Sequence, residues 1–137
     1  MQNEPTPTGL TGQRPIRVLI VDDNIDAGEI LCELLSALGY ITLFHESAAA
    51  ALSCLEVFQP DVCLSDICMP EMDGYKFAIA LRAHPQYAHL KLVALTAYAL
   101  PKDRAAALDA GFNDHLSKTA GIEKILQVLG PSGAAVN

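Results

Sequence analysis

Short apolar runs alternate with stretches of helical periodicity along almost the whole chain. Ile16 to Val21 is a largely β-branched run that predicts a central strand, and Asp22-Asp23-Asn24 ends it abruptly. Ile30, Leu31, Leu34, Leu35 and Leu38 then recur at helical spacing until Gly39. Ile41 to Phe44 predicts a short strand. Ser47 suits the cap of a helix carrying Leu52, Leu55 and Phe58 on one side and ending before Pro60. Val62 to Leu64 predicts a buried strand closing on Asp66. Past the Asp73-Gly74 turn, Phe77, Ile79, Ala80 and Leu81 predict a third helix that stops before Pro85. Leu92 to Thr96 predicts a fourth strand. Pro101 fits the first turn of a helix running through Leu108 to Gly111. His115 to Ser117 predicts a short last strand, and Ile122, Ile125, Leu126 and Leu129 a final amphipathic helix ended by Gly130-Pro131.

Strand and helix thus alternate with connections of a few residues. That pattern predicts an α/β fold, a doubly wound parallel sheet with helices on both faces. The sequence shows no internal repeat and no second domain. The expected organisation is a flexible leader over 1–14, one domain over 15–130 and a flexible tail over 131–137. The leader sets Pro5, Pro7, Gly9 and Gly12 among polar residues and has no means of burying itself.

Composition narrows the function classes. The chain has 137 residues, 51% hydrophobic and 18% charged, which suits one globular domain with one real core. Its net charge of −7 argues against binding a phosphate backbone. No apolar run approaches the roughly 18 residues of a membrane-spanning helix, and no basic-then-apolar start marks a signal peptide. Cys32, Cys54, Cys63 and Cys68 form no C-x-x-C pair and have no zinc spacing, so they are expected as small buried apolar residues in a reducing, cytoplasmic setting.

The chemistry gathers at the carboxyl ends of the strands, where open α/β sheets bind their ligands. Asp22 and Asp23 close the first strand, Asp66 the third, Thr96 the fourth, and Lys118 follows the fifth. In a parallel sheet these ends share one edge, so the five side chains can meet in one crevice. Three carboxylates together call for a cation, and oxygen ligands shared with phosphate suit Mg²⁺. A metal-neutralised Asp66 can act as nucleophile on a phosphoryl group, giving an aspartyl phosphate. Lys118 supplies a compact positive charge to the phosphoryl oxygens, and the Thr96 hydroxyl a hydrogen-bond donor.

On Val21-Asp22-Asp23, Asp66-Ile67-Cys68-Met69-Pro70-Glu71-Met72-Asp73-Gly74, Leu95-Thr96-Ala97 and Leu116-Ser117-Lys118, the chain resembles a receiver domain of a two-component response regulator over residues 16 to 129. The resemblance implies a flavodoxin-like five-stranded sheet of order 2-1-3-4-5. It implies that Asp66 accepts phosphate from a phosphohistidine on a histidine kinase or phosphotransfer protein. It also implies Mg²⁺ held directly by Asp23 and Asp66, with Asp22 on a metal-bound water and the backbone carbonyl of Cys68 completing the set. Thr96 and Lys118 then bind the phosphoryl group and respond to it. Such a protein is a signalling switch rather than an enzyme. Its output is a binding event with a downstream protein, a phosphorelay step, or the work of another domain; the net charge of −7 and the lack of a long apolar run leave nucleic acid and membrane unexpected as partners.

Two positions depart from the family. Lys118-Thr119 stands where Lys-Pro with a cis bond is usual. A cis bond before a residue other than proline costs about 2.5–4 kcal/mol, so a trans bond and a shifted start of the last helix are expected. His115 stands where Tyr or Phe is common, at a position whose ring usually swings inward when the threonine moves. His115 is therefore a candidate switch residue, with an exposed polar side chain as the plainer alternative.

Three rival readings fit the residues less well. A haloacid-dehalogenase-type Mg²⁺ phosphatase also uses a strand-end Asp, but needs a second acid two residues on, where this chain has Cys68. A phosphorylation-independent pseudo-receiver would lack one of the acids at 22, 23 and 66. A nucleotide-binding module needs a Gly-rich loop after the first strand, which is missing.

Overall fold

A computed structural model describes residues 14–97 and 100–133. The leader up to residue 13 and the tail from residue 134 lie outside the described residues. The elements run β1 (Arg17–Val21), α1 (Ile25–Ala37), β2 (Ile41–His45), α2 (Ala48–Phe58), β3 (Val62–Asp66), α3 (Gly74–Arg82), β4 (Lys91–Thr96), α4 (Pro101–Ala110), β5 (Asp114–Ser117) and α5 (Ile122–Leu129). The five strands pair in parallel in the order β2-β1-β3-β4-β5, the flavodoxin-like order. A short 3₁₀ turn over Pro85–Tyr87, which the hydrophobic pattern does not announce, bridges α3 and β4.

Alternation along the central strands divides the core in two. Leu19, Val21, Cys63, Leu92 and Ala94 pack with α2, α3 and Ala107 of α4. Val18, Ile20, Leu64, Val93 and Leu95 pack with Leu35 of α1 and with Ile125 and Leu129 of α5. Each such large apolar side chain taken out of water stabilises the fold by about 1.5–3 kcal/mol. Burial on both faces leaves the strand ends as the sheet's polar outlet, and the parallel pairing puts all five carboxyl ends on one edge.

Some expectations change. In α1 only Gly28 and Leu35 are fully buried, while Ile30 is 65% exposed and Leu34 and Leu38 also face outward. α1 has the expected helical period, but its apolar stripe is wider than the face the sheet covers. Ile79 likewise points out of α3, where Phe77, Ala78 and Leu81 fill the core. Of the four free cysteines only Cys63 is buried. Cys32 and Cys54 are half-buried, and Cys68 is exposed because it lies in the loop beyond the end of β3. Arg14 and Ser132, expected at the edges of leader and tail, are tied in: Arg14 pairs with Asp61 at 2.6 Å, and the Ile16 amide donates to the Ser132 carbonyl at 2.6 Å. The Lys118-Thr119 bond is trans, as expected. No helix among the described residues is long and apolar enough to cross a membrane.

Candidate functional site

β1 runs directly into Asp22 and Asp23, β3 ends on Asp66, and Lys118 follows β5. One carboxylate oxygen from each of the three acids lies within 4.8 Å of the other two. The Lys118 ammonium sits 3.0 Å from Asp22 Oδ2 and 3.5 Å from Asp66 Oδ2. Both acids are held from behind. Asp22 Oδ1 accepts from the Asn24 amide at 2.9 Å, and Asp66 Oδ1 from the Ile67 amide at 2.8 Å. Each buried carboxylate thus spends one oxygen on its own backbone and presents the other to the lysine.

Asn24 caps α1, its side chain accepting from the Ala27 amide at 3.1 Å, so capping does not explain the acids. Asp73 caps α3 in the same way, accepting from the Lys76 amide at 2.9 Å. Asp22 and Asp66 are each only 6% exposed, whereas Asp23 is open to solvent.

The electrostatics follow from this crowding. Burial pushes the Asp66 carboxyl up to about 6; Asp22 and a hydrogen bond with Asp23 add to the rise, while Lys118 and the Ile67 amide oppose it. For Lys118, burial alone acts downward, but the Asp22 and Asp66 carboxylates outweigh it and its pKa is raised. Because the Asp66 pKa lies above its unfolded value, its contribution to stability is full at low pH and is lost as pH rises through about 6. Without metal, Asp66→Asn is therefore expected to be more stable than the parent at pH 7. The gain is about 1–2 kcal/mol, below the full value of the shift because the site opens to water through Asp23. It should disappear near pH 4, and urea unfolding at both pH values measures it. A variant less stable at pH 7 would show that Asp66 is not strained by its neighbours.

Thr96 is half-buried at the end of β4, opposite Ser117, and one residue beyond the Leu95 that pairs with Asp66. Its carbonyl accepts the Lys118 amide at 2.7 Å, which couples the end of β4 to the lysine backbone. Cys68 lies in the loop after Asp66 with an exposed side chain. In that loop Glu71 holds φ = 69°, a left-handed conformation that costs a non-glycine residue about 1–2 kcal/mol.

Gly74 does more than the turn expected of it. A Cβ there would stand 2.5 Å from the Asp66 carbonyl oxygen and 2.7 Å from Ile67 Cα. The first residue of α3 therefore packs directly on the backbone that carries Asp66, and the Gly74 amide donates to the Ile67 carbonyl at 2.8 Å. Only the Asp-Gly pair hinted at this, and a turn alone accounts for that pair equally well. The plainer reading of His115, an exposed polar residue, is corrected: the side chain is buried.

The response regulator receiver domain model matches residues 18–130. The chain belongs to the response regulator receiver family. The receiver domain is 44% identical over 101 residues to an uncharacterised 14.6 kDa protein of Leptolyngbya boryana, covering 74% of this chain and 77% of that one. It is 34% identical over 112 residues to the response regulator MprA of Mycobacterium sp. (strain KMS), 82% of this chain but about half, 48%, of MprA. Among solved structures it is similar to the receiver domain of sensor histidine kinase PA1611 from Pseudomonas aeruginosa, with a TM-score of 0.76 and 30% identity over 85% of this chain and 95% of that one. That neighbour has a magnesium ion coordinated in its active-site cleft. Receiver domains are signalling switches of two-component systems, partnered by histidine kinases, and bind Mg²⁺ at their acidic site. The donor set here fits that ion: oxygen only, anionic, and partly shielded from water.

Proposed function

We propose that this receiver domain takes a phosphoryl group onto Asp66 from a phosphohistidine of a histidine kinase or phosphotransfer protein. The Asp66 carboxylate oxygen attacks phosphorus, the phosphorus–nitrogen bond of the phosphohistidine breaks, and the imidazole leaves with its electron pair. Asp23 and Asp66, with the Cys68 carbonyl, would hold Mg²⁺ with Asp22 beside them, and the bound ion would supply charge compensation for the acids and the phosphoryl oxygens. Lys118 supplies a fixed ammonium to the phosphoryl oxygens, and the Thr96 hydroxyl donates to one of them. Because the Thr96 carbonyl holds the Lys118 amide, a response to phosphate at either residue reaches β4 and β5 together. The α4–β5–α5 face then changes its affinity for a downstream protein. Four free thiols suit the cytoplasm as the place of work.

One observation carries the reading: a lysine following β5 lies 3.0 and 3.5 Å from acids that follow β1 and end β3. Segments so far apart in sequence meet there at a cost in electrostatic repulsion, which a phosphoryl site explains. The expected test result is a gain of about 80 Da, one phosphoryl group, when the protein is treated with acetyl phosphate and Mg²⁺. The gain should be absent with EDTA and absent in Asp66→Asn. A gain that persists in the variant moves the acceptor elsewhere.

A further inference from the structure

His115 lies on β5, an edge strand, and pairs with Ala94 of β4. Paired residues in a parallel sheet project to the same face, so the imidazole points with Ala94 toward the side that α4 covers through Ala107. It is 3% exposed, and its Nε2 is buried with no hydrogen-bond partner among the described residues. Around it the backbone is firmly tied. The His115 amide donates to Asp114 Oδ1 at 2.8 Å, while Arg104 of α4 reaches both Asp114 Oδ1 at 3.2 Å and the His115 carbonyl at 3.3 Å. The side chain is thus the unsatisfied part of an otherwise satisfied joint between α4 and β5.

We infer that His115 is a proton-operated latch on the α4–β5 face: the neutral ring stays inside, and a protonated ring turns out to water and to the acids at its rim. A neutral imidazole tolerates this enclosure, whereas a cation with an unpaired buried N–H does not. The charged groups in reach are Asp103 and Arg104 on α4 and Asp114 on β5, and the β4 neighbours Ala94 and Thr96 carry no charge. Burial, the leading influence, lowers the His115 pKa from its ordinary value, ahead of the two acids that act in the opposite sense.

The sign follows. Above pH 6.5 the ring is neutral inside and out, and the balance between the two positions does not change with pH. Below it the outward ring takes up a proton first, so the inward share falls by about tenfold per pH unit until the buried pKa is passed. The family resemblance implies an inward ring at this position when the site is phosphorylated, and on that implication acidification opposes switching. Only this coupling rests on the phosphoacceptor reading; the latch itself needs no phosphate.

Imidazole and amide NMR resonances followed from pH 8 to pH 5 without phosphoryl donor test the latch. His115 should titrate below the roughly 6.5 of an ordinary imidazole, and the Arg104 and Ala107 amides of α4 should shift with the same midpoint. In His115→Phe, or in His115→Tyr if the first variant does not fold, the α4 shifts should vanish. A His115 midpoint at or above 6.5, α4 amides unmoved through its titration, or α4 shifts that survive the substitution would overturn the latch. With beryllofluoride and Mg²⁺ added, the His115 midpoint should fall further, and a bound analogue that leaves it unchanged overturns the coupling. Failure of beryllofluoride to perturb the Ile67 and Cys68 amides instead overturns the phosphoacceptor reading and leaves the first result standing.

Discussion

Lys118→Ala is expected to slow phosphoryl uptake from acetyl phosphate by about 10²–10³-fold, the usual cost of removing one fixed donor from a developing oxyanion. The ammonium stands within 3.5 Å of both buried acids, and no other basic side chain among the described residues forms an ion pair with Asp22 or Asp66. Its loss removes the one group that lowers the Asp66 pKa through charge, so more Asp66 is protonated at neutral pH. Lys118→Arg should recover little, because a planar guanidinium does not fit the place of a compact point charge set between two carboxylates. A time course of intact mass measures both variants. Uptake within threefold of the parent would show that the lysine neutralises the acids without serving the phosphoryl group.

The second large effect concerns a residue with no functional side chain. Gly74→Ala is expected to destabilise the domain by about 2–3 kcal/mol, in the range of overpacking a close-packed site. The new methyl would meet backbone atoms of Asp66 and Ile67 at 2.5 and 2.7 Å, and backbone cannot turn aside as a side chain can. Relief requires α3 or the end of β3 to move, so phosphoryl uptake should fall together with stability. Urea unfolding and the mass time course provide the two readings. A variant as stable as the parent would mean that α3 shifts freely on the strand end.

Much of this architecture was legible in the residue pattern. The apolar stretches within β1, β3 and β4 announce strands buried on both faces, Asp22, Asp23 and Asp66 stand out as costly charges at the ends of β1 and β3, and Lys118 follows the short β5. Periodicity could not say how much of a helix the sheet would cover, so the outward turn of Ile30, Leu34 and Leu38 had to come from packing. Cys68 is exposed, against the usual burial of free cysteine, because it belongs to the loop just beyond Asp66. The role of Gly74 was hidden because close approach between a helix start and a strand end leaves no pattern in sequence. His115 is unusual for its position, but its direction depends on strand register, which four residues of β5 are too short to fix by pattern. Family membership in turn sets aside the dehalogenase-type phosphatase.

The central claim is that Asp66 itself carries the phosphoryl group. Borohydride reduction of the phosphorylated protein, followed by peptide mapping, tests it most directly, since an aspartyl phosphate is reduced to homoserine. Homoserine at position 66 and at no other acid is the predicted result; homoserine at position 22 or 23, or nowhere in a protein that had gained the phosphoryl mass, would contradict it.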